Sequence, residues 1–136
     1  MQKNVLIVLS AGILVLCLSG CGGAPEGPLM VKVTGPVLID GQPVPEGDII
    51  FRRPEDQKGF GGRIKDGAYE IKVEPGKMAV EITASRVVPG KFDRSNPEPE
   101  PLREMYIPKQ YNAKTTLVAD VQPSDNPTFA FELKSK

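Results

Sequence analysis

The sequence predicts an all-β domain, on three observations. The 14 prolines and 14 glycines among 136 residues cut the chain into pieces too short for helices. Within most of those pieces apolar and polar residues alternate, the period of a half-buried strand. Asp40-Gly41 and Asp66-Gly67 are strong two-residue hairpin signals. Together they give seven short strands and no helix, a set that closes most naturally as a two-sheet sandwich.

Taken in order, Val31, Val33, Val37 and Ile39 alternate with Lys32, Thr34 and Leu38 in a first strand that ends at Asp40-Gly41. Gln42 to Gly47 is a bend stiffened by Pro43 and Pro45. Asp48 to Arg53 follows as a strand with Ile49 and Phe51 on one face, stopped by Pro54, and Glu55 to Gly59 is a polar loop. Gly62 to Lys65 and Ala68 to Val73 are the arms of a hairpin over Asp66-Gly67, with Tyr69, Ile71 and Val73 inward. Pro75-Gly76 suits the middle of a type II turn. Lys77 to Val88 is the next strand, with Met78, Val80, Ile82 and Ala84 inward. Residues 89–114 show no sustained period and read as a Pro-rich loop. Thr115 to Val121 and Thr128 to Leu133 close the set, joined by a turn at Ser124 to Pro127.

A different grammar precedes this domain. Lys3 and the amino terminus give a positive start, and Val5 to Leu18 is apolar apart from Ser10. That run is shorter than the ~20 residues a membrane span needs, and suits the h-region of an export signal. It ends in Leu18-Ser19-Gly20-Cys21. This quartet resembles the lipobox of bacterial lipoproteins, which implies cleavage before Cys21, a diacylglyceryl group on its sulfur and acylation of the new amino group. A single acyl chain holds a protein to a membrane only marginally, so several chains make physical sense. Gly22, Gly23, Pro25, Gly27 and Pro28 follow in a tether. Its eight residues from Gly22 to Leu29 reach at most about 28 Å. The expected division is thus a signal peptide at 1–20, a tether at 21–30 and one domain at 31–136.

Composition excludes several functions. Without Lys3 the processed chain carries 16 Lys and Arg (17 − 1) against 17 Asp and Glu, which gives no basic footprint for nucleic acid. Histidine is absent, and lipidation consumes Cys21, the only cysteine left after processing. Ser-His and Cys-His nucleophile pairs and His- or Cys-based zinc sites are therefore excluded. No cofactor is expected.

The stretch Val33 to Phe51, with its strand, Asp40-Gly41, the Pro43-Val44 bend and Ile49-Ile50-Phe51, resembles the opening of carboxypeptidase regulatory-like domains. Asp66-Gly67-Ala68-Tyr69 and Pro75-Gly76-Lys77 match the next two elements. Ile107 to Asn112 and Phe129 to Leu133 resemble the ending of small bacterial lipoproteins that carry this domain. The resemblance covers about residues 31–136 and implies a seven-stranded transthyretin-like (prealbumin-like) sandwich, mostly non-catalytic. One branch of that fold hydrolyses 5-hydroxyisourate with histidines and a C-terminal Tyr-Arg-Gly-Ser. This chain has neither, ending Phe131 to Lys136 without them, so that activity is not expected.

Four groups of residues are candidate sites. Asp93, Glu98, Glu100 and Glu104, with Asn96, gather oxygens near one stretch, as calcium loops do. Pro97, Pro99 and Pro101 hold that stretch extended, so it reads as a solvated spacer. Asp48, Glu55 and Asp56 are the nearest set for paired-carboxylate hydrolysis; they read as turn residues. Tyr106, Ile107 and Tyr111 read as an apolar foot packed on the sandwich, with an exposed docking patch as the other reading. Lys32 and Asn126 are the pair an isopeptide bond would need, and Asn126 lies in a turn. The expected function is a cell-envelope lipoprotein held to a membrane through Cys21, binding an envelope protein or polysaccharide through the 89–114 segment and its sheet edges. A small-ligand or carbohydrate-binding lipoprotein is the alternative.

Overall fold

The structure is a computed structural model that describes residues 26–123 and 126–136. The expected signal at 1–20, Cys21 and the first part of the expected tether lie outside the described residues. Residues 26–30 are exposed and belong to no strand, and Leu29 and Met30 project into solvent.

The described residues form an all-β structure. Its strands are β1 (Val31–Ile39), β2 (Gln42–Pro43), β3 (Glu46–Arg52), β4 (Gly59–Lys65), β5 (Ala68–Val73), β6 (Gly76–Thr83), β7 (Ser85–Asp93), β8 (Glu100–Met105), β9 (Val118–Val121) and β10 (Phe131–Leu133). The main sheet runs β10-β1-β5-β4-β3-β6-β9, with β2 added to β1. Strands β4 and β5 pair only through Ile64–Tyr69 and Lys65–Ala68 beside their turn, so the sheet folds over there. The halves β10-β1-β5 and β4-β3-β6-β9 then face each other like a sandwich. An added Cβ at Gly62 would lie 3.3 Å from the Ile71 Cβ, which shows how closely the two halves meet.

Between them lies the core. Ile49, Phe51, Ile64, Met78, Val80 and Ile82 come from one half, and Val33, Val37, Tyr69, Ile71, Val73 and Leu133 from the other. The predicted alternation places Val33, Val37, Ile49, Phe51, Tyr69, Ile71, Val73, Met78, Val80 and Ile82 on the inward face, and Ile64 and Leu133 join them. Phe51 is the hub: its ring centroid lies 6.0 Å from Tyr69, 6.5 Å from Phe129 and 6.3 Å from Phe131. No polar residue is buried among the described ones. Burial of the Tyr69 ring pushes its hydroxyl pKa up, and that hydroxyl donates to the Phe129 carbonyl at 3.0 Å.

Both Asp-Gly hairpin turns are present. Asp40 and Gly41 have φ of 49° and 79°, and Asp66 and Gly67 have 49° and 74°. Positive φ at both central residues is the type I′ signature, whose twist matches that of the flanking strands. A third glycine acts by its lack of bulk. A Cβ at Gly35 would sit 1.9 Å from the Phe129 carbonyl oxygen. The close approach lets β1 serve two partners: its first part pairs antiparallel with β5, and Val37 to Ile39 pair parallel with β10.

The structure departs from the expected elements in the second half of the chain. The long strand expected over Lys77 to Val88 breaks at Ala84: β6 ends at Thr83, and β7 leaves the sandwich with Ser85. Residues 89–114 are not an irregular loop. Most of β7, all of β8 and a 3-10 turn at Lys109–Tyr111 fall within or across them. Strands β7 and β8 pair only with each other and form a projecting ribbon. No residue of the ribbon is buried, so selection for a core imposes no apolar period there, and the prolines conceal what pattern exists.

Candidate functional site

The ribbon is the part of the molecule with surface to offer. Its register pairs Ser85 with Met105, Arg86 with Glu104 and Val87 with Arg103, then resumes with Phe92 against Pro101 and Asp93 against Glu100. Between these blocks Val88 to Lys91 oppose Leu102 alone, a bulge in which Gly90 takes a φ of 72°. Val87 and Phe92 are five positions apart in the sequence, and a regular strand would send them to opposite faces. The bulge restores phase. Directly paired residues share a face, so Met105, Val87, Phe92 and Pro101 line one face together with Ser85 and Arg103. The opposite face carries Arg86, Glu104, Leu102, Asp93 and Glu100. The ribbon is therefore amphipathic, and its apolar face is uncovered: Val87 is 47% exposed, Phe92 54% and Met105 61%.

The base of the ribbon is fixed to the sandwich. The Tyr106 N–H donates to the Ala84 carbonyl at 3.2 Å. Ile107 is buried in the core, with Tyr106 and Tyr111 half-buried against it. The Arg86 guanidinium lies over the Tyr106 ring at 5.6 Å. The Tyr111 hydroxyl accepts from the Lys134 N–H at 3.0 Å. The apolar-foot reading of these three residues thus matches their packing. Asn112 clamps the same segment: its side-chain amide donates to the carbonyls of Ile82 and Ile107 at 3.3 Å and of Pro108 at 3.2 Å, and its Oδ1 accepts from the Ala113 N–H at 2.8 Å. The Thr115 hydroxyl donates to the Val80 carbonyl.

Where the ribbon leaves the sheet, Ser85, Arg103 and Met105 meet Glu46, Asp48, Arg63 and Thr83 around a cleft of about 200 Å³. The polar groups there largely answer each other. Arg63 reaches Asp48 at 3.1 Å and Glu46 at 3.8 Å. Arg103 donates to the Ser85 Oγ at 3.0 Å and to the Ser85 carbonyl at 3.1 Å.

The other residues singled out from the sequence do not converge. Asp93 accepts from the N–H and hydroxyl of Ser95, and Glu104 is held by Arg86 at 2.8 Å. Among the described residues no three His, Cys, Asp or Glu side chains gather as a metal site would require. Asp48 sits near the start of β3, whereas Glu55 and Asp56 lie beyond its end, with Asp56 paired to Arg53 at 3.1 Å; the three share no cleft. Lys32 is held by Glu70 at 3.1 Å on an exposed face, and Asn126 is exposed; the turn expected at Ser124 to Pro127 falls partly outside the described residues.

One nearly buried acid leaves no mark in the sequence pattern. The Glu74 side chain, 12% exposed, accepts from Lys58 and Arg53. Those hydrogen bonds hold its carboxyl below the usual carboxylate range. It lies on the connection between β5 and β6, at the far end of the molecule from the ribbon.

Comparison with protein-family models and with curated proteins returns no match. Among solved structures the chain is similar to a 9R-lipoxygenase from Cyanothece PCC8801, with 16% identity and a TM-score of 0.39. The match covers 78% of this chain and 16% of the lipoxygenase. No helix among the described residues is long and apolar enough to cross a membrane.

Proposed function

We propose that this protein is a cell-envelope lipoprotein, anchored through acyl chains on Cys21, whose domain is a non-catalytic binding module. The observation that carries this reading is Leu18-Ser19-Gly20-Cys21 at the end of the apolar run Val5 to Leu18. The module is proposed to be a carboxypeptidase regulatory-like domain of transthyretin-like topology. The two type I′ Asp-Gly turns and the inward Ile49 and Phe51 support that assignment. The candidate carboxylates support a binding role over a catalytic one, because they are spread apart and Asp48, Asp56 and Glu104 are each paired with an arginine.

Chain direction adds a geometric consequence. Val31 pairs with Val73, so the tether joins the domain at the end where β5 passes to β6. The ribbon starts after Thr83, at the other end of β6, a strand of 8 residues or about 26 Å at ~3.3 Å each. The ribbon then lies on the end away from the tether, where it meets a protein or polymer of the envelope. The test is cross-linking in the native envelope with the full chain and with a chain whose residues 86–104 are replaced by a two-residue turn. Loss of the cross-linked partners on shortening is the expected result. Retention of every partner would remove the ribbon from the binding role.

A further inference from the structure

We infer that the free edge of β8 takes up an extended segment of a partner protein as a third strand of the ribbon, a mode that deepens the binding role proposed above and rests on it. A two-stranded ribbon is marginal in water by itself and gains stability from a third strand or a covered face. This one has neither among the described residues. Strand β7 offers a broken edge, because Val88 to Lys91 bulge out of register and include Pro89. The edge of β8 has no bulge, and it offers the outward N–H and C=O groups of Arg103 and Met105 and the C=O of Pro101, which has no N–H. The Tyr106 N–H to Ala84 carbonyl bond makes 84 and 106 a hydrogen-bonded pair. Alternation then makes 86 and 104 the next such pair, and turns the backbone groups of Arg103 and Met105 away from β7. These outward N–H and C=O groups are what an added strand uses.

The charges of β8 choose among occupants. A second copy adding antiparallel about a two-fold axis keeps each residue on its own face. The two registers of greatest overlap then set Arg103 against Arg103, or Glu100 against Glu104, and like charges directly opposite are destabilising. A membrane is disfavoured by charge and by place. Within the ribbon Arg86, Lys91, Arg94 and Arg103 balance Asp93, Glu98, Glu100 and Glu104, and the ribbon starts at the end opposite the tether. A foreign strand meets no such conflict when it places an acid against Arg103, bases against Glu100 and Glu104, and apolar side chains against Met105, Leu102 and Pro101. Opposite Met105 and Pro101 the apolar face of the ribbon then continues onto the third strand, and the group against Leu102 lies on the other face.

The test uses the full chain in detergent and a capped hexapeptide, valine-lysine-glutamate-isoleucine-valine-lysine. Laid antiparallel, its residues face Met105, Glu104, Arg103, Leu102, Pro101 and Glu100 in that order. Binding is expected, with slowed amide exchange at Arg103 and Met105 and none at β9 or β10. The peptide with lysines and glutamate exchanged should bind about tenfold more weakly or worse, from the usual size of cross-strand charge pairs. Arg103→Glu should weaken the first peptide and favour one carrying lysine in place of its glutamate, a rescue that a misfolded variant cannot show. Equal binding of both peptides would overturn the inference. So would exchange protection that appears without peptide and grows with protein concentration, which assigns the edge to a second copy. Protection by anionic-lipid vesicles alone would equally overturn it. The same result is expected for Cys21→Ser, so failure of the anchor and failure of strand addition are read separately.

Discussion

Replacing Asn112 tests how the ribbon is held to the sandwich. Its amide group supplies two hydrogens to the carbonyls of Ile82, Ile107 and Pro108, and its oxygen caps the Ala113 N–H. Asn112→Ala removes about three net hydrogen bonds, each worth about 1 kcal/mol, and a loss of about 2–3 kcal/mol follows. For a domain of this size that lowers the melting midpoint by about 8–12 °C, at ~4 °C per kcal/mol. Asn112→Asp should be worse at neutral pH, because it turns a carboxylate towards carbonyl oxygens that need a donor. Its folded-state pKa would then lie above the unfolded value near 4. The extra penalty over alanine is therefore present at neutral pH. It shrinks as pH falls through the raised folded pKa and vanishes below the unfolded one. Urea unfolding of both variants at several pH values measures this. An alanine cost under about 0.5 kcal/mol, or an aspartate no worse than alanine at pH 7, would refute the clamp.

Three other outcomes are expected. Phe51→Ala removes the ring that touches Tyr69, Phe129 and Phe131 and should cost about 3–5 kcal/mol in urea unfolding, with Phe51→Leu costing much less. Gly35→Ala forces a carbon against the Phe129 carbonyl oxygen and should cost about 2–4 kcal/mol, with the largest amide shifts around Phe129 and Phe131. Glu74 has a lowered folded-state pKa, so its contribution is present above the unfolded pKa and is lost as pH falls through the folded one. Glu74→Gln should accordingly lose less melting temperature than the wild type between about pH 5 and pH 2. A parallel fall would remove Glu74 from the acid response.

The first half of the domain could be read from the residues because burial writes itself into sequence. Ile49, Phe51, Tyr69, Ile71, Met78, Val80 and Ile82 must all face inward, so alternation reveals their strands, and Asp40-Gly41 and Asp66-Gly67 fix the turns. The ribbon escaped the same reading for a physical reason. It has no buried face, its bulge shifts the phase between Val87 and Phe92, and its prolines suggest a spacer. Its first arm shows in part, as the strand pattern that runs on to Val88, and Leu102 and Met105 are the apolar marks of the second. The Asn112 clamp left no signal, because a lone asparagine after a tyrosine does not show which carbonyls it will meet. Glu74 was equally silent, since its partners Arg53 and Lys58 lie far back in the chain. Asp48, Glu55 and Asp56, read as turn residues, form no site for a related reason: they are near in sequence, and the direction of β3 separates Asp48 from Asp56.

The most direct measurement is the intact mass of the protein extracted from the membranes of a bacterium expressing the full gene product. Expected is a chain beginning at Cys21, heavier than the bare polypeptide by a diacylglyceryl group and an amide-linked acyl chain, with Cys21→Ser moving to the aqueous fraction. A wild-type product of unmodified mass with a free Cys21 thiol, recovered in the aqueous fraction, would contradict it.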